Sequence, residues 1–481
     1  MADLSYQAVM ARKNEIMKKA VGIDYAVFES GGLAFDFEGM MERAAYSLEE
    51  IRKIQEATGV GNTPLLELKN ITALVRKISP HGKGARIFIK DEAANPSGSF
   101  KARRASVSVY QAKKLGYPGI IAATSGNYGA AVASQAAMAG LNCIIVQEAF
   151  DSRGVGQPEI LEKARACEAY GAEVVQLTVG PELFYYFLIL LEETGYFNAS
   201  LYTPFGIAGV ETLGYELTQQ VRSRTGHNPD MVVITHAGGG NVTGTARGLL
   251  KAGCNQTLVV GASVDLKGLH MASDRDFNRK SFTTGHTGFG IPFATMPDRA
   301  DVPRNAARAL RYLDRYVTIT QGEVFYVTEM LAQLEGLERG PAGNTSLAAA
   351  LALARELDRE QIVVVQETEY TGAGKHPLPQ LTFAQANGVE VRRGRPGENL
   401  PGKVIVIPEK PEQLAVTDVD LTSLKKSYIR NALSLLPKKT VSRSDAEFLA
   451  ADTKSGIEFV ELTLADLGYS VEGGKGNGAS G

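Results

Sequence analysis

Short runs of β-branched and other apolar residues recur along the middle of the chain, and segments of helical character separate them. The runs include ARIFIKDE, GIIAATS, NCIIVQE, MVVIT and QIVVVQETE, which lie between residues 85 and 369. Apolar strands that alternate with helices are typical of parallel βαβ units in an open sheet. The pattern predicts an α/β fold in which ligands bind where strands end and the next loops begin.

The two ends of the chain differ from this repeating middle. Residues 1–60 have the pattern of charged, amphipathic helices, and Ser47 followed by Glu50 matches a capping box. Beyond residue 400, the strand-like segment PGKVIVIPEK precedes a charged helical stretch, and EGGKGNGASG is predicted to be a flexible tail. A length of 481 residues predicts more than one hydrophobic core.

Composition and charge narrow the class of protein. The chain is 44% hydrophobic and has a net charge of -2, so neither nucleic acid nor an anionic membrane is an expected partner. Without a signal-peptide pattern or an apolar run near the roughly 20 residues that span a bilayer, a cytoplasmic location is expected. Cys143, Cys167 and Cys254 form no CxxC pair, so packed thiols are expected and no metal site.

The first candidate motif is DEAANPSGSFKARRAS, residues 91–106. Its proline, glycine and serines predict a rigid turn, and a helix is expected to follow. Lys101 would stand at the start of that helix, where the helix dipole disfavours an ammonium ion and so favours a reactive amine. A plain surface lysine is an equally good interpretation of this segment alone.

The second motif is ATSGNYG, a turn between a strand and a helix. It contains Thr124, Ser125, Gly126, Asn127 and Tyr128, which offer hydroxyl, amide and backbone N–H donors. Such donors at a helix N-terminus suit a substrate carboxylate. Taken alone, the segment is better explained as an ordinary turn.

The third motif, THAGGGNVTG, follows the strand MVVIT. Gly238, Gly239 and Gly240 leave bare N–H groups, and Asn241 and Thr243 add side-chain donors before a helix. These properties predict a phosphate cradle. A structural glycine turn is the alternative, although three glycines cost backbone entropy that a turn alone does not require. The segment matches neither GxxxxGK[ST] nor GxGxxG, which disfavours ATP and dinucleotides.

Two later segments complete the set. QLEGLERG is a polar loop that leads into a helix of small residues, and VVVQETEYTGAGKH is a strand that ends near Thr368 and Thr371. One of these hydroxyls could meet a ring nitrogen of a cofactor. An ordinary loop with capping hydroxyls is the alternative.

The order of these motifs resembles the fold-type II enzymes that use pyridoxal 5′-phosphate (PLP), the family of the tryptophan synthase β-subunit. The resemblance implies two three-layer α/β/α domains with open, mostly parallel sheets. It places a large PLP-binding domain at 61–98 and 216–400 and a small substrate-clamping domain at 99–215. An N-terminal helical extension (1–60) and a C-terminal extension (401–481) would flank them.

The resemblance also implies roles for individual residues. Lys101 would be the Schiff-base lysine, and Asn127 would bond the phenolic oxygen of the cofactor. Residues 238–243 would hold the phosphate, and Thr371 or Thr368 would meet the ring nitrogen.

Three positions qualify the resemblance. Glu335 matches a glutamate that lies near the cofactor in several members. Ala102 and Asn241 depart from the pattern, because relatives often have an acidic residue or asparagine after the lysine and a glycine in the phosphate loop. The departures bear on the substrate and not on the cofactor.

Further segments, among them QEAFDSRGVGQPEI and SFTTGHTGFGIPF, resemble a thiolase branch of this family. The likeness implies cleavage of 2-amino-4-oxopentanoate with coenzyme A (CoA), a separately encoded small α-subunit and homodimerisation. Ser125, Tyr128 and His286 are candidates for contact with the substrate, although a structural role is the better interpretation of His286. Candidates for CoA binding are unranked: Arg103, Arg104, Arg153 and Lys375.

Two other functions stay open at this point. A β-elimination or β-replacement lyase, similar to diaminopropionate ammonia-lyase, threonine synthase or cysteine synthase, would need a leaving group on Cβ and no CoA. A PLP-binding regulatory subunit without catalysis would not need to keep Lys101, Asn127 and the phosphate loop together.

Overall fold

A computed structural model describes residues 3–44, 46–124, 126–150, 154–156, 158–178, 180, 182–267, 279–280, 293–294, 302–370 and 377–472. The helices are α1 (Tyr6–Ala11), α2 (Lys13–Val21), α3 (Phe37–Ala44), α4 (Leu48–Glu56), α5 (Lys69–Ile78), α6 (Lys101–Lys114), α7 (Asn127–Ala139), α8 (Pro158–Ala169), α9 (Glu182–Thr194), α10 (Pro204–Thr225), α11 (Gly240–Lys251), α12 (Gln321–Glu335), α13 (Thr345–Ala354), α14 (Pro377–Ala386), α15 (Leu421–Leu433), α16 (Arg443–Asp452) and α17 (Ile457–Asp466).

The strands alternate with these helices through the middle of the chain, as the sequence pattern predicts. They are β1 (Leu65–Glu67), β2 (Arg86–Asp91), β3 (Gly119–Thr124), β4 (Asn142–Phe150), β5 (Glu173–Thr178), β6 (Phe197–Asn198), β7 (Met231–Thr235), β8 (Leu258–Val264), β9 (Arg279–Lys280), β10 (Phe293–Ala294), β11 (Arg315–Ile319), β12 (Ile362–Glu367), β13 (Glu390–Gly394), β14 (Val404–Pro408), β15 (Thr417–Asp418), β16 (Thr440–Val441) and β17 (Ser470–Val471).

The larger sheet has the strand order β1-β2-β12-β7-β8-β11-β15. Its inner strands are parallel, and β1 and β15 pair antiparallel at the two edges. Every residue of β12 is buried, because β2 and β7 flank the strand and helices cover the sheet. Because β2, β12 and β7 run parallel, their carboxyl ends lie at the same edge of the sheet.

The smaller sheet has the order β5-β4-β3-β6 and is parallel throughout. Its strands all lie between residues 119 and 198, and α6 and α7 pack on each other beside it. Two mostly parallel sheets with helices between their strands confirm the predicted α/β class.

The terminal segments fold onto this body. The predicted capping box at α4 is confirmed: Ser47 Oγ accepts from Glu50 N at 3.3 Å, and the Glu50 carboxylate accepts from Ser47 N at 2.9 Å. From beyond residue 400, β15 adds an edge strand to the larger sheet, and α15 to α17 form a small helical unit. The predicted flexible tail falls on residues 473–481, outside the described residues.

Two predictions about composition can be compared with the fold. Cys143, Cys167 and Cys254 are buried, and burial raises the pKa of the Cys143 and Cys167 thiols to about 12. All three are therefore packed thiols, as expected, and the thiols of Cys143 and Cys167 are protonated near pH 7. In the described ranges no helix combines the length and the apolar character that crossing a membrane requires.

Candidate active site

Lys101 is the first residue of α6 and follows a tight loop after β2. Ser97 and Gly98 in this loop have left-handed backbone conformations, with φ of 63° and 70°. This conformation is unfavourable for serine and is concentrated at functional sites. Phe100 N donates to Thr368 O at 3.1 Å, so the loop is fastened to the chain just after β12. Lys101 and Thr368 are thus neighbours at one strand end.

The side chains around this lysine are sheltered from solvent. Lys101 is half-buried, and its Nζ lies 4.4 Å from the centroid of the Phe100 ring. The Ser99 hydroxyl is buried and has no hydrogen-bond partner among the described residues. A buried hydroxyl of this kind is available to a bound group.

Two hydroxyls of the second motif, those of Thr124 and Tyr128, make hydrogen bonds to the backbone of the protein. Thr124 Oγ1 accepts from Gly126 N at 3.0 Å and from Gly129 N at 3.2 Å, which satisfies donors at the start of α7. Tyr128 Oη donates to Ala199 O at 2.6 Å. Both side chains therefore brace the turn in the structure.

Asn127 begins α7, and this helix packs against the turn Pro96–Gly98 before Lys101. The structure thus brings Asn127 and the lysine loop together. Ser125 and His286 lie outside the described residues, and their proposed substrate contacts stay predictions.

Behind the same turn lies a charge pair that the sequence did not single out. A Cβ placed on Gly126 would be 3.4 Å from Nζ of Lys163, which is buried and ion-paired with Glu159. In the sequence, these two residues look like a solvated i,i+4 pair on a helix surface. Only the tertiary structure shows that the pair is buried.

The glycine loop forms the start of α11. Gly239 has φ of 86°, and no side chain of the described residues caps the helix that begins at Gly240. The Thr243 hydroxyl donates to Gly239 O at 2.9 Å, so it braces the loop. Asn241 is buried, and its Nδ2 has no partner in the described part of the chain. An uncapped helix start and an unpaired amide donor together suit an anion.

Protein side chains fill the space that side chains at these glycines would need. A Cβ on Gly238 would overlap the Tyr202 hydroxyl, and one on Gly240 would lie 2.8 Å from Arg104 Nη1. Arg104 belongs to α6, three residues after Lys101. Helix α6, called the lysine helix because it begins at Lys101, is therefore in direct contact with the glycine loop (Gly238–Gly240).

His236, which precedes the three glycines, is a second residue that the sequence did not single out. Its imidazole is 1% exposed and lies edge-on to Tyr316, with ring centroids 4.9 Å apart. Neither ring nitrogen has a partner among the described residues. Burial lowers the pKa of His236 to about 4, so the ring is neutral near pH 7.

Three of the predicted residues remain to be placed, namely Thr368, Thr371 and Glu335. Thr368 is buried beside the lysine loop, whereas Thr371 lies outside the described residues. Glu335 Oε1 accepts from Ile71 N at 2.8 Å in the first turn of α5, and that bond occupies its carboxylate at another helix start. The proposed place of Glu335 beside the cofactor stays a prediction.

Two of the four CoA candidates are core residues, and the other two, Arg153 and Lys375, lie outside the described residues. Arg103 is fully buried and donates to both oxygens of the equally buried Glu92, at 2.6 and 2.8 Å, and to Glu216 at 3.1 Å. Its guanidinium is thus committed to carboxylates within the protein. Arg104 is 1% exposed, so neither arginine forms a surface patch for a nucleotide.

The described residues fit the cofactor that the resemblance implies. Lys101 can hold an aldehyde, and the start of α11 with Asn241 can hold a phosphate. Ser99 adds an unsatisfied buried hydroxyl near the lysine. All of these groups lie at the edge where the strands of the larger sheet end.

Comparison with known proteins agrees with this geometry. The family model described as "Pyridoxal-phosphate dependent enzyme" matches residues 57–368. Two relatives are each described as "2-amino-4-ketopentanoate thiolase beta subunit", and the match covers 99% of the length of each. One, from an unknown prokaryotic organism, is 71% identical over 98% of this chain, and one from Acetoanaerobium sticklandii is 68% identical over 97%.

Among solved structures, a threonine deaminase from T.th. aligns with a TM-score of 0.51 and 25% identity. The alignment covers 67% of this chain and 98% of that one. Cysteine synthase from Entamoeba histolytica, at a TM-score of 0.50 and 21% identity over 66% of this chain and 87% of that one, shares the fold.

Proposed function

The chain belongs to the family of pyridoxal-phosphate dependent enzymes, and on that basis we propose that it is the catalytic β-subunit of a 2-amino-4-ketopentanoate thiolase. Its reaction would cleave 2-amino-4-ketopentanoate (2-amino-4-oxopentanoate) with CoA to alanine and acetyl-CoA, a step of ornithine degradation. The near-full-length identity of 71% and 68% to two such subunits carries the proposal.

The proposed reaction balances without a further reactant. The C3–C4 bond of the substrate breaks, and a bond forms between C4 and the CoA sulfur. The electron pair left on C3 takes up a proton, which yields the methyl group of alanine, and the thiol proton balances the equation. When bound, PLP supplies the electron sink that stabilises negative charge next to the amino-bearing carbon.

The residues of the chain would supply position and proton transfer. Lys101 would hold the cofactor and then move the proton at the substrate α-carbon, for which its place at a helix start is suitable. Asn127 would bond the phenolic oxygen, and the turn that Gly126 opens would face the substrate carboxylate. Thr371 or Thr368 would meet the ring nitrogen, and a hydroxyl there leaves that nitrogen unprotonated.

The setting of the enzyme is also part of the proposal. The words "beta subunit" in the names of both relatives support a heteromer with a small α-subunit. We place CoA as the co-substrate, expect a cytoplasmic enzyme and expect two copies of this subunit to associate. The lyase and the non-catalytic alternatives find no support in the names of the two near-full-length relatives.

The first test is the formation of acetyl-CoA from 2-amino-4-ketopentanoate and CoA, with and without the candidate small subunit. Wild type and Lys101→Ala would be compared. Lys101→Ala should lower the rate about 1,000-fold or more, because it removes both the cofactor attachment and the acid–base group. The matched control is Lys113→Ala, an exposed lysine on the same helix, which should retain activity.

Absence of acetyl-CoA from a PLP-loaded protein with its partner would overturn the thiolase proposal. Pyruvate and ammonia from β-substituted amino acids would then identify a lyase. A protein that develops no visible absorbance band with PLP would lack the cofactor site itself.

A further inference from the structure

Arg104 lies where the lysine helix meets the glycine loop, and we propose that its guanidinium forms part of the site for the cofactor phosphate. The inference rests on the proposed cofactor site and is independent of the thiolase reaction. It adds a charged side chain to a cradle that the sequence motif describes only as backbone N–H groups and the neutral donors of Asn241 and Thr243.

The position of the guanidinium is tightly defined. Its Nη1 and Cζ lie 2.8 and 3.0 Å from the Cβ that a side chain at Gly240 would carry, so it packs directly against the first residue of α11. Nη1 donates to Leu201 O at 3.1 Å, and Cζ lies 5.5 Å from the centroid of the Phe100 ring. The absence of a side chain at Gly240 is what allows this approach.

A phosphate at the start of α11 calls for more positive charge than the helix alone provides. The helix terminus contributes about half an elementary charge, and Asn241 contributes a neutral amide whose Nδ2 is unpartnered among the described residues. Because Arg104 is 1% exposed, solvent screens its charge weakly. A guanidinium also offers a planar fork of donors that matches phosphate oxygens.

The spacing along α6 supports the same assignment. Lys101 and Arg104 are three residues apart, and side chains at this spacing are neighbours on a helix surface. One helix can thus serve both ends of a single ligand, with the amine of Lys101 at the aldehyde and Arg104 at the phosphate.

The experiment compares the binding of PLP and of pyridoxal, which lacks the phosphate, to the apo-protein by absorbance titration. Wild type, Arg104→Gln, Arg104→Lys and the control Arg222→Gln would be measured. Arg222 bonds the neutral side chain of Asn228 at 2.6 Å, so its substitution also removes one charge without breaking an ion pair at that contact. Thermal melting of each apo-variant checks folding.

For Arg104→Gln we expect the Kd for PLP to rise about 10- to 100-fold, because a charge-assisted bond to phosphate is lost. The Kd for pyridoxal should stay within about 3-fold, and Arg222→Gln should change neither. An equal loss for both ligands, or no loss, would assign Arg104 to packing alone and overturn the inference.

If Arg104→Gln does not fold, Arg104→Lys provides the test of the proposed phosphate contact. It keeps the charge and loses the fork, so PLP should weaken about 5-fold relative to pyridoxal. An unchanged ratio of the two Kd values would overturn the inference. Failure of the wild type to bind either ligand would instead refute the proposed cofactor site, and the Arg104 assignment with it.

Discussion

The neutral imidazole of His236 shows how strongly a single residue can respond to its surroundings. It lies at the foot of the glycine loop, is 1% exposed and contacts Tyr316 edge-on. Water cannot stabilise its charged form there, so protonation is unfavourable in the folded protein. The consequence is a dependence of stability on pH.

We expect His236 to destabilise the protein as the pH falls. An unfolded histidine takes up its proton near pH 6.5, whereas the folded pKa is lowered to about 4. Between these values the unfolded state binds more protons than the folded state. The free energy of unfolding therefore has its full value above pH 6.5 with respect to this group, and it decreases as the pH falls toward 4. The contribution is about 3 kcal/mol, at about 1.4 kcal/mol per pH unit.

The measurement is the free energy of unfolding in urea at several pH values for wild type, His236→Gln and the exposed control His81→Gln. Wild type and His81→Gln should fall more steeply than His236→Gln between pH 6.5 and 4. Parallel curves for all three proteins would contradict the buried, neutral state of His236.

For a single residue, the sequence predicts its place in a helix or a turn better than it predicts the side chains that surround it. The start of a helix at Lys101 follows from local turn chemistry, and the structure confirms it. The packing of Arg104 on Gly240 and the burial of Lys163 join segments far apart in the chain, so no local pattern could indicate them. His236 lay within a recognised motif, but only its burial distinguishes it.

Among the elements, α10 and α11 make an unusually close pair. Glycines stand on both helices where they cross: a Cβ on Gly214 would overlap Thr245 O, and one on Gly248 would overlap Glu211 O. A Cβ on Gly244 would lie 2.9 Å from Ile207 O. The backbones are therefore in contact, and this contact fixes the helix whose first turn forms the glycine loop.

Gly248→Ala should force the two helices apart. Overpacking of this kind costs about 1–3 kcal/mol of unfolding free energy, or more where backbone atoms must move. The matched control is Gly397→Ala, because no atom of the described residues lies within 4 Å of a Cβ at Gly397. Urea unfolding of both variants measures the difference, and equal stabilities would show that the crossing can relax without cost.

The periodicity of the sequence predicts most strands and helices between residues 60 and 400. It does not predict which of them lie next to each other in the fold. The apolar runs correspond to β2, β3, β4, β7 and β12, and the capping box marks the start of α4. The position of β12 between β2 and β7 depends on one pairing between residues 276 apart, Ile362 with Arg86, and another between residues 132 apart, Val363 with Met231. The short strands β6 and β15 carry too few residues to show a pattern.

In the whole molecule, side chains of the body connect the two terminal segments. Glu38 of the N-terminal segment accepts from Arg247 at 2.6 Å and pairs with Arg308 at 3.5 Å. Arg308 also donates through Nε to Asp452 of the C-terminal unit at 2.6 Å. Tyr428 donates to the same carboxylate at 2.8 Å. The extensions are thus built into one structure with the body.

Asp445 makes the most direct of these connections. Its Oδ1 accepts from Leu33 N at 2.8 Å and from Ala34 N at 2.7 Å, and all three residues are buried. Asp445→Ala should cost about 2–4 kcal/mol, because two buried N–H groups lose their acceptor. The control is Asp466→Ala, whose carboxylate is 70% exposed.

Limited proteolysis and urea unfolding would test this prediction. Asp445→Ala should release the C-terminal unit to protease earlier than wild type or Asp466→Ala. Identical digestion of all three would show that this unit is held by its apolar contacts alone. The domain boundaries at 60, 98, 215 and 400 stay predictions, since the contacts between segments depend on the folded chain.

The order of strands in the larger sheet determines when, during synthesis, this sheet can be completed. During synthesis, β2 and Lys101 leave the ribosome about 270 residues before β12, which fills the gap between β2 and β7. Until then both strands have open edges, and the loop before Lys101 lacks its bond to Thr368. Closing so long a loop is slow. The cofactor site at this strand end is therefore incomplete until β12 has been synthesised and has paired with β2 and β7.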